Sequence, residues 1–386
     1  MSSQEPTKPG ALANKCVMIV AGEASGDIHG ANLIRSMRAK SDTFFFCGVG
    51  GRAMRRAGAK LVVDADKLSV VGITEVLIKL PAIWSGLSAV KRIIRSGLPD
   101  LLVLIDFPDF NLRLAAVAKK AGIPVFYYIT PQVWAWRKRR VHQIRRLVDH
   151  AAVILPFEES FFKQYQVPVT YVGHPLLDAG YERLPAARSD QSLPVNVIGI
   201  LPGSRSREVK RHLPLMLAAA VRISSARAPV SFLVSCAPSV PQAVFSEIAE
   251  PFSGRLRLEF VFESVSTVFE KSTLVMAVSG TVTLEAALSE TPLLVVYRVS
   301  TVSYWLARAL IRLDYISLVN LIAGRQIVPE LLQSAASSEN IARQIGELLD
   351  DPDRLRTMRH ELREVREKLG RGGASRRAAD IAAGFL

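Results

Sequence analysis

The sequence predicts an α/β protein made of two doubly wound, Rossmann-like halves with a cleft between them. Three observations lead there. Short runs rich in β-branched and other apolar residues alternate with longer helical stretches, the pattern of a parallel sheet wrapped by helices. The short runs are apolar almost throughout, which fits strands covered on both faces. The alternation pauses once, between Asp178 and Val195, where Gly180, Pro185, Ser189, Asp190 and Pro194 supply linker chemistry, and then starts again.

In the first series the strands are expected from Cys16 to Ala21, Phe44 to Gly48, Leu101 to Ile105, Val125 to Ile129 and Ala152 to Leu155. Helices are expected from Ala31 to Ala39, Ile83 to Arg95 and Leu112 to Ala121. The second series offers strands from Val197 to Leu201, Ser231 to Ser235, Leu274 to Val278 and Pro292 to Tyr297. A charged helix from Pro352 to Leu369, a break at Gly370, Gly372 and Gly373, and a last short helix complete the chain. The expected organisation is a disordered extension over 1–15, a first α/β domain over 16–180, a second over 195–350, and C-terminal helices over 351–386.

Composition agrees. The chain has 386 residues, natural for two domains at about 100–200 residues each. Hydrophobic residues make up 49% and charged residues 22%, a globular rather than disordered balance. Mean hydropathy is +0.22, on the apolar side for a soluble enzyme. No apolar run reaches the roughly 18 residues of a spanning helix, and residues 1–15 lack the apolar core of a signal peptide. The cysteines are Cys16, Cys47 and Cys236, an odd number with no metal-knuckle spacing, which suits a reducing compartment. The six histidines form no i, i+4 pair, so the zinc helix motif is excluded. The net charge of +14 suggests an anionic partner, whether nucleic acid, phospholipid surface or phosphorylated substrate, or else an excess spread over the surface.

In open α/β sheets ligands bind beyond the carboxyl ends of the strands, and the candidate motifs stand there. The first strand runs into Gly22-Glu23-Ala24-Ser25-Gly26-Asp27-Ile28-His29-Gly30. This loop can approach a ligand closely and present a helix N-terminus to an anion, or it is a plain strand-to-helix turn capped by Ser25 or Asp27. It is not a dinucleotide fingerprint. Leu101 to Ile105 feeds Asp106-Phe107-Pro108-Asp109-Phe110-Asn111. A carboxylate at a strand end can take a proton from a sugar hydroxyl; Asp106 is favoured for that work, with Asp109 structural. In the second half, Leu201-Pro202-Gly203-Ser204-Arg205 offers backbone N–H groups and a guanidinium to phosphate. Ser279-Gly280-Thr281-Val282-Thr283-Leu284-Glu285 offers small hydroxyls for phosphate and Glu285 for ribose. Capping is the alternative for each.

Two segments suggest a surface role. Asp66 to Leu87 holds more apolar residues than one helix stripe needs, Val70, Val71, Leu77, Ile78 and Trp84 among them. Pro81 interrupts it, so it is read as core or as an exposed patch that receives lipid. Thr130-Pro131-Gln132-Val133-Trp134-Ala135-Trp136 is followed by a basic run from Arg137 to Arg146. That combination suits a membrane interface or nucleic acid, or a solvated helix face.

Taken in order, the Gly22, Asp106, Thr130, Gly203 and Ser279 segments, with Val172-Gly173-His174-Pro175-Leu176 and Val319-Asn320-Leu321-Ile322-Ala323-Gly324-Arg325, resemble the lipid-A-disaccharide synthase family from about Val17 to Leu332. The resemblance implies a glycosyltransferase-B-like fold and an inverting transfer from UDP-2,3-diacylglucosamine to 2,3-diacylglucosamine 1-phosphate. It implies Asp106 as general base and a donor site of Gly203, Ser204, Arg205, Ser279, Gly280, Thr281, Glu285 and Asn320. Glu23, Ser25, Asp27 and His29 are assigned to the acceptor side or the cleft. No cofactor, metal or nucleic acid is expected. The enzyme is expected to sit peripherally on the cytoplasmic face of the inner membrane, and a homodimer exchanging its C-terminal segment is implied. The rivals are a UDP-sugar 2-epimerase or peptidoglycan-precursor glycosyltransferase of the same fold, and a basic nucleic-acid-binding protein.

Overall fold

The computed structural model describes residues 15–65, 73–136, 138–179, 196–227, 229–300 and 314–386, and for 73–83 the backbone path alone. The extension over 1–14, Val70, Val71 and nearly all of the linker lie outside the described residues, as do the side chains of Leu77 and Ile78. The chain divides into two compact units. One carries the chain up to Ala179 together with Arg371–Leu386, and the other carries Gly180–Gly370. The charged C-terminal helix therefore goes with the second unit and the last helix with the first.

The first unit is built on a seven-stranded sheet: β1 (Cys16–Ala21), β2 (Phe45–Gly50), β3 (Lys60–Asp64), β4 (Leu101–Ile105), β5 (Val125–Tyr128), β6 (His150–Val153) and β7 (Val169–Tyr171). Their order is β3-β2-β1-β4-β5-β6-β7, and every pair is parallel. Between them run α1 (Ala24–Arg38), α2 (Arg52–Arg56), α3 (Ile73–Arg95), α4 (Pro108–Lys120), α5 (Arg140–Leu147) and α6 (Pro156–Gln164). Strand residues alternate between two cores. Cys16, Met18 and Val20 face one; Val17, Ile19 and Ala21 face the other. That explains why β1 is apolar at every position.

The second unit has a six-stranded sheet, β8 (Asn196–Leu201), β9 (Val230–Ser235), β10 (Leu258–Val261), β11 (Leu274–Ala277), β12 (Leu293–Tyr297) and β13 (Glu330–Leu332). The order is β10-β9-β8-β11-β12-β13, again all parallel. Its helices among the described residues are α7 (Ser206–Ala226), α8 (Gln242–Ala249), α9 (Val265–Lys271), α10 (Val282–Leu288), α11 (Leu318–Ala323), α12 (Ser338–Asp350) and α13 (Pro352–Lys368).

The final helix, α14 (Ala374–Ala383), returns to the first unit. Ala378, Ala379 and Ala382 fill the core face beside α1. The Asp178 carboxylate accepts from the backbone N–H groups of Gly373, Ala374 and Ser375 at 2.6, 3.0 and 3.0 Å, which satisfies the orphan donors of the helix start. Arg377 Nε donates to the Val172 carbonyl at 2.8 Å.

The interruption expected at Pro81, with a helix from Ile83, does not occur: α3 begins at Ile73 and passes through Pro81. Among the described residues no helix is long and apolar enough to cross a membrane.

Candidate functional site

Both sheets reverse direction beside their first strand: β1 lies next to β4 in one unit and β8 next to β11 in the other. Such a switch point opens a crevice beyond the strand ends, because the two flanking connections leave on opposite faces. Ala21 pairs with Ile105 and Leu201 with Ala277. The Gly22 and Asp106 loops therefore emerge side by side, and so do the Gly203 and Ser279 loops.

At the first crevice the backbone is held in sparsely populated conformations. Asp106 and Phe107 have φ of 44° and 46°, and Ile129, at the end of the neighbouring strand, has φ of 60°. Left-handed geometry is unfavourable for residues with a Cβ, most of all for a β-branched one. It persists here because the loop is tied down. The Asp106 N–H donates to the Ile129 carbonyl at 3.0 Å. The Asp106 carbonyl accepts from Tyr127 OH at 2.7 Å and Asn111 Nδ2 at 2.7 Å. Phe107 lies against Gly22, where a Cβ would stand 2.4 Å from its ring, so only glycine fits. The Asp106 carboxyl is half-buried and is pushed up to about 6, first by burial and then by the charge of Glu23. Asp109 forms an ion pair with Arg140 and so ties the start of α4 to α5.

The four residues of the Gly22 loop separate into two kinds. Glu23 and Ser25 are exposed. Asp27 is buried, and its carboxylate accepts from the N–H groups of Gly51, Ala53 and Met54 at 2.7, 2.8 and 3.0 Å. It caps α2, a long-range use that a reading of its own helix does not reveal. His29 has a buried Nδ1 without a hydrogen-bond partner among the described residues, and burial lowers its pKa against the charge of Asp178.

At the second crevice Gly203 has φ of 119°, and a Cβ there would meet the Glu208 side chain at 2.6 Å. Glu208 accepts from Ser204 N–H at 3.1 Å and lies 3.7 Å from Arg205. The Arg205 side chain is 64% exposed, which leaves most of its donors available to a ligand. Ser279 Oγ donates to the Ile316 carbonyl at 3.1 Å, and Thr281 is exposed beside Gly280. Glu285 is half-buried on α10.

Asn320 is fully buried. Its Oδ1 accepts from Ile327 and Val328 N–H at 2.8 and 3.0 Å. Its Nδ2 donates to the Val328 carbonyl at 2.9 Å and to Glu330 Oε1 at 2.8 Å. Glu330 also takes the N–H groups of Ile316 and Ser317. Asn320 thus builds the wall that Ser279 touches. Sequence reasoning missed Glu330, Glu208, Tyr127 and also His212, whose Nε2 accepts from Arg298 N–H at 3.0 Å. Nothing local in the sequence marks such long-range partners.

The aromatic segment divides as well. Trp134 is buried; its Nε1 donates to Glu158 at 2.9 Å and its ring meets Phe157 edge-on. Trp136 and Trp84 are 38% and 56% exposed, with Arg140 and Arg113 over their rings at 6.0 and 5.7 Å.

The sequence profile described as lipid-A-disaccharide synthetase matches residues 17–385. The chain is 45% identical over 380 residues to the lipid-A-disaccharide synthase of Geobacter metallireducens, covering 96% of this chain and 97% of the relative. It is 45% identical over 382 residues to that of Syntrophus aciditrophicus, covering 96% and 98%. Among solved structures it is similar to the UDP-GlcNAc 2-epimerase of Neisseria meningitidis, with TM-score 0.61, 16% identity and coverage of 96% and 100%. It is also similar to MurG of Acinetobacter baumannii, with TM-score 0.60, 14% identity and coverage of 96% and 99%. These structural likenesses establish the two-domain glycosyltransferase-B type of fold.

Proposed function

The chain belongs to the lipid-A-disaccharide synthase family, and from that premise we propose how its residues divide the work of a UDP-sugar-dependent glycosyl transfer. The donor is UDP-2,3-diacylglucosamine and the acceptor 2,3-diacylglucosamine 1-phosphate. The acceptor 6-hydroxyl attacks C1 of the donor sugar as its proton passes to the Asp106 carboxylate. The bond from C1 to the diphosphate oxygen breaks, and UDP leaves with the electron pair. One displacement inverts the anomeric centre, so one base and one stabilised leaving group suffice. Arg205 and the N–H groups of the Gly203 and Ser279 loops face the developing charge on the diphosphate. Glu285 takes a ribose hydroxyl, and Asn320 acts from behind by fixing the wall. The observation that carries the reading is Asp106 itself: a half-buried carboxyl, lifted toward neutrality by burial and by Glu23, at the switch point of the first sheet.

Both substrates carry acyl chains, so the protein works at a bilayer surface. Its net charge of +14 and the exposed Trp84 and Trp136 support peripheral attachment to the anionic cytoplasmic face of the inner membrane. The docking of α14 on α1 also offers a surface that two copies could satisfy by exchanging C-terminal helices.

The test is incubation with labelled UDP-diacylglucosamine, with and without the acyl-sugar phosphate. Disaccharide phosphate that forms only when both are present is expected. A labelled epimer released from the donor alone would favour the 2-epimerase reading instead.

A further inference from the structure

Tyr127 lies on the central strand β5 and is fully buried within an apolar cluster that includes Val125, Leu104 and Phe110. A phenylalanine, like its neighbour Phe126, would serve that core without bringing in a hydroxyl that must find a partner. The partner it has is the backbone carbonyl of Asp106, at 2.7 Å. Asn111, also fully buried, donates to the same carbonyl at 2.7 Å and to the preceding one, of Ile105, at 3.2 Å. Two buried donors therefore converge on one peptide group, and that peptide lies between the two left-handed residues Asp106 and Phe107. Strained geometry of this kind survives only where surrounding bonds over-determine it.

We propose that Tyr127 is a positioning residue of the transfer: its hydroxyl, together with Asn111, locks the Asp106 peptide in the left-handed conformation that aims the carboxylate at the acceptor hydroxyl. The proposal rests on Asp106 being the base. With the hydroxyl gone, the peptide can relax toward ordinary geometry, the carboxylate moves off line, and proton transfer slows. Donor binding, which uses other residues, is untouched.

The experiment is a double-mutant cycle on the full chain with Tyr127→Phe and Asp106→Asn, reading kcat and the donor KM. Tyr127→Phe is expected to lower kcat by about 10- to 100-fold, the scale of a misplaced catalytic group, with the donor KM unchanged. In the Asp106→Asn background it is expected to cause no further loss. An equal loss in both backgrounds, or none in the parent, overturns the proposal, because a merely structural residue acts regardless of what stands at 106. If Asp106→Asn alone keeps near-normal turnover, the base assignment fails, a result separate from the failure of Tyr127. Should Tyr127→Phe not fold, Asn111→Ala removes the other donor to the same carbonyl and is read through the same cycle.

Discussion

A carboxyl lifted to about 6 has a direct kinetic signature. As the proposed base, Asp106 accepts a proton only when ionised, so kcat/KM should rise with pH through about 6 and be lost below it. Burial is the larger cause of the shift and the charge of Glu23 the second. Glu23→Gln removes that like charge and should move the acid limb of the kcat/KM profile to lower pH; an unmoved or raised midpoint would contradict the pairing. Arg205 is the matching residue proposed for the second unit. Its exposed guanidinium leans on Glu208 at 3.7 Å, a weak tether in solvent that a diphosphate can outcompete. Arg205→Ala should weaken UDP binding by about 1.5–3 kcal/mol, the range for a hydrogen bond to a charged group. Unchanged affinity by calorimetry would remove it from the site.

At the scale of elements, a buried acid helps to pin the loop between β5 and α5. Glu158 receives the Trp134 ring N–H at 2.9 Å, and its other oxygen receives the Ile154 and Leu155 N–H groups at 3.3 and 3.0 Å. Burial still pushes it up to about 7 against those donors. Its folded pKa thus exceeds its ordinary value of 4.5, the folded state holds the proton more tightly, and this group's contribution to stability falls as pH rises from about 4.5 to 7. Glu158→Gln loses that dependence and turns an NH₂ toward one of the donors, at a cost of about 1–3 kcal/mol. Thermal unfolding should show a larger gap between parent and variant at pH 5 than at pH 8; an equal gap would contradict the shift. The same elements show what the sequence made legible. β1 and β4 match their expected bounds because both are wholly buried apolar runs, visible without context. β3, β7, β10 and β13 went unseen because Lys60–Asp64, Val169–Tyr171, Leu258–Val261 and Glu330–Leu332 are short and partly exposed, with polar residues that blur the period. Asp106 and the Gly203 loop were legible because a strand end announces them. The uses of Asp27 and Asn320 were not, since each acts on backbone outside its own helix.

Over the whole molecule the proposed membrane attachment combines the charge of +14 with particular side chains. Lys138 and Arg139 are exposed beside Trp136, and each basic group near anionic headgroups contributes about 1 kcal/mol. Trp84→Ser combined with Lys138→Gln and Arg139→Gln should lower association with anionic phospholipid vesicles while sparing UDP binding. Unchanged association would move the membrane contact elsewhere. In the proposed mechanism the two units divide the chemistry: the first would carry the base, and the second the diphosphate contacts. That division is tested most directly by Asp106→Asn, measured for both turnover and UDP affinity. The amide keeps the size of the side chain and removes the proton acceptor, so turnover should fall by about 10²- to 10⁴-fold while UDP affinity stays at the parent value. A folded Asp106→Asn protein with near-normal turnover would contradict the account and turn attention to Glu23 and His29.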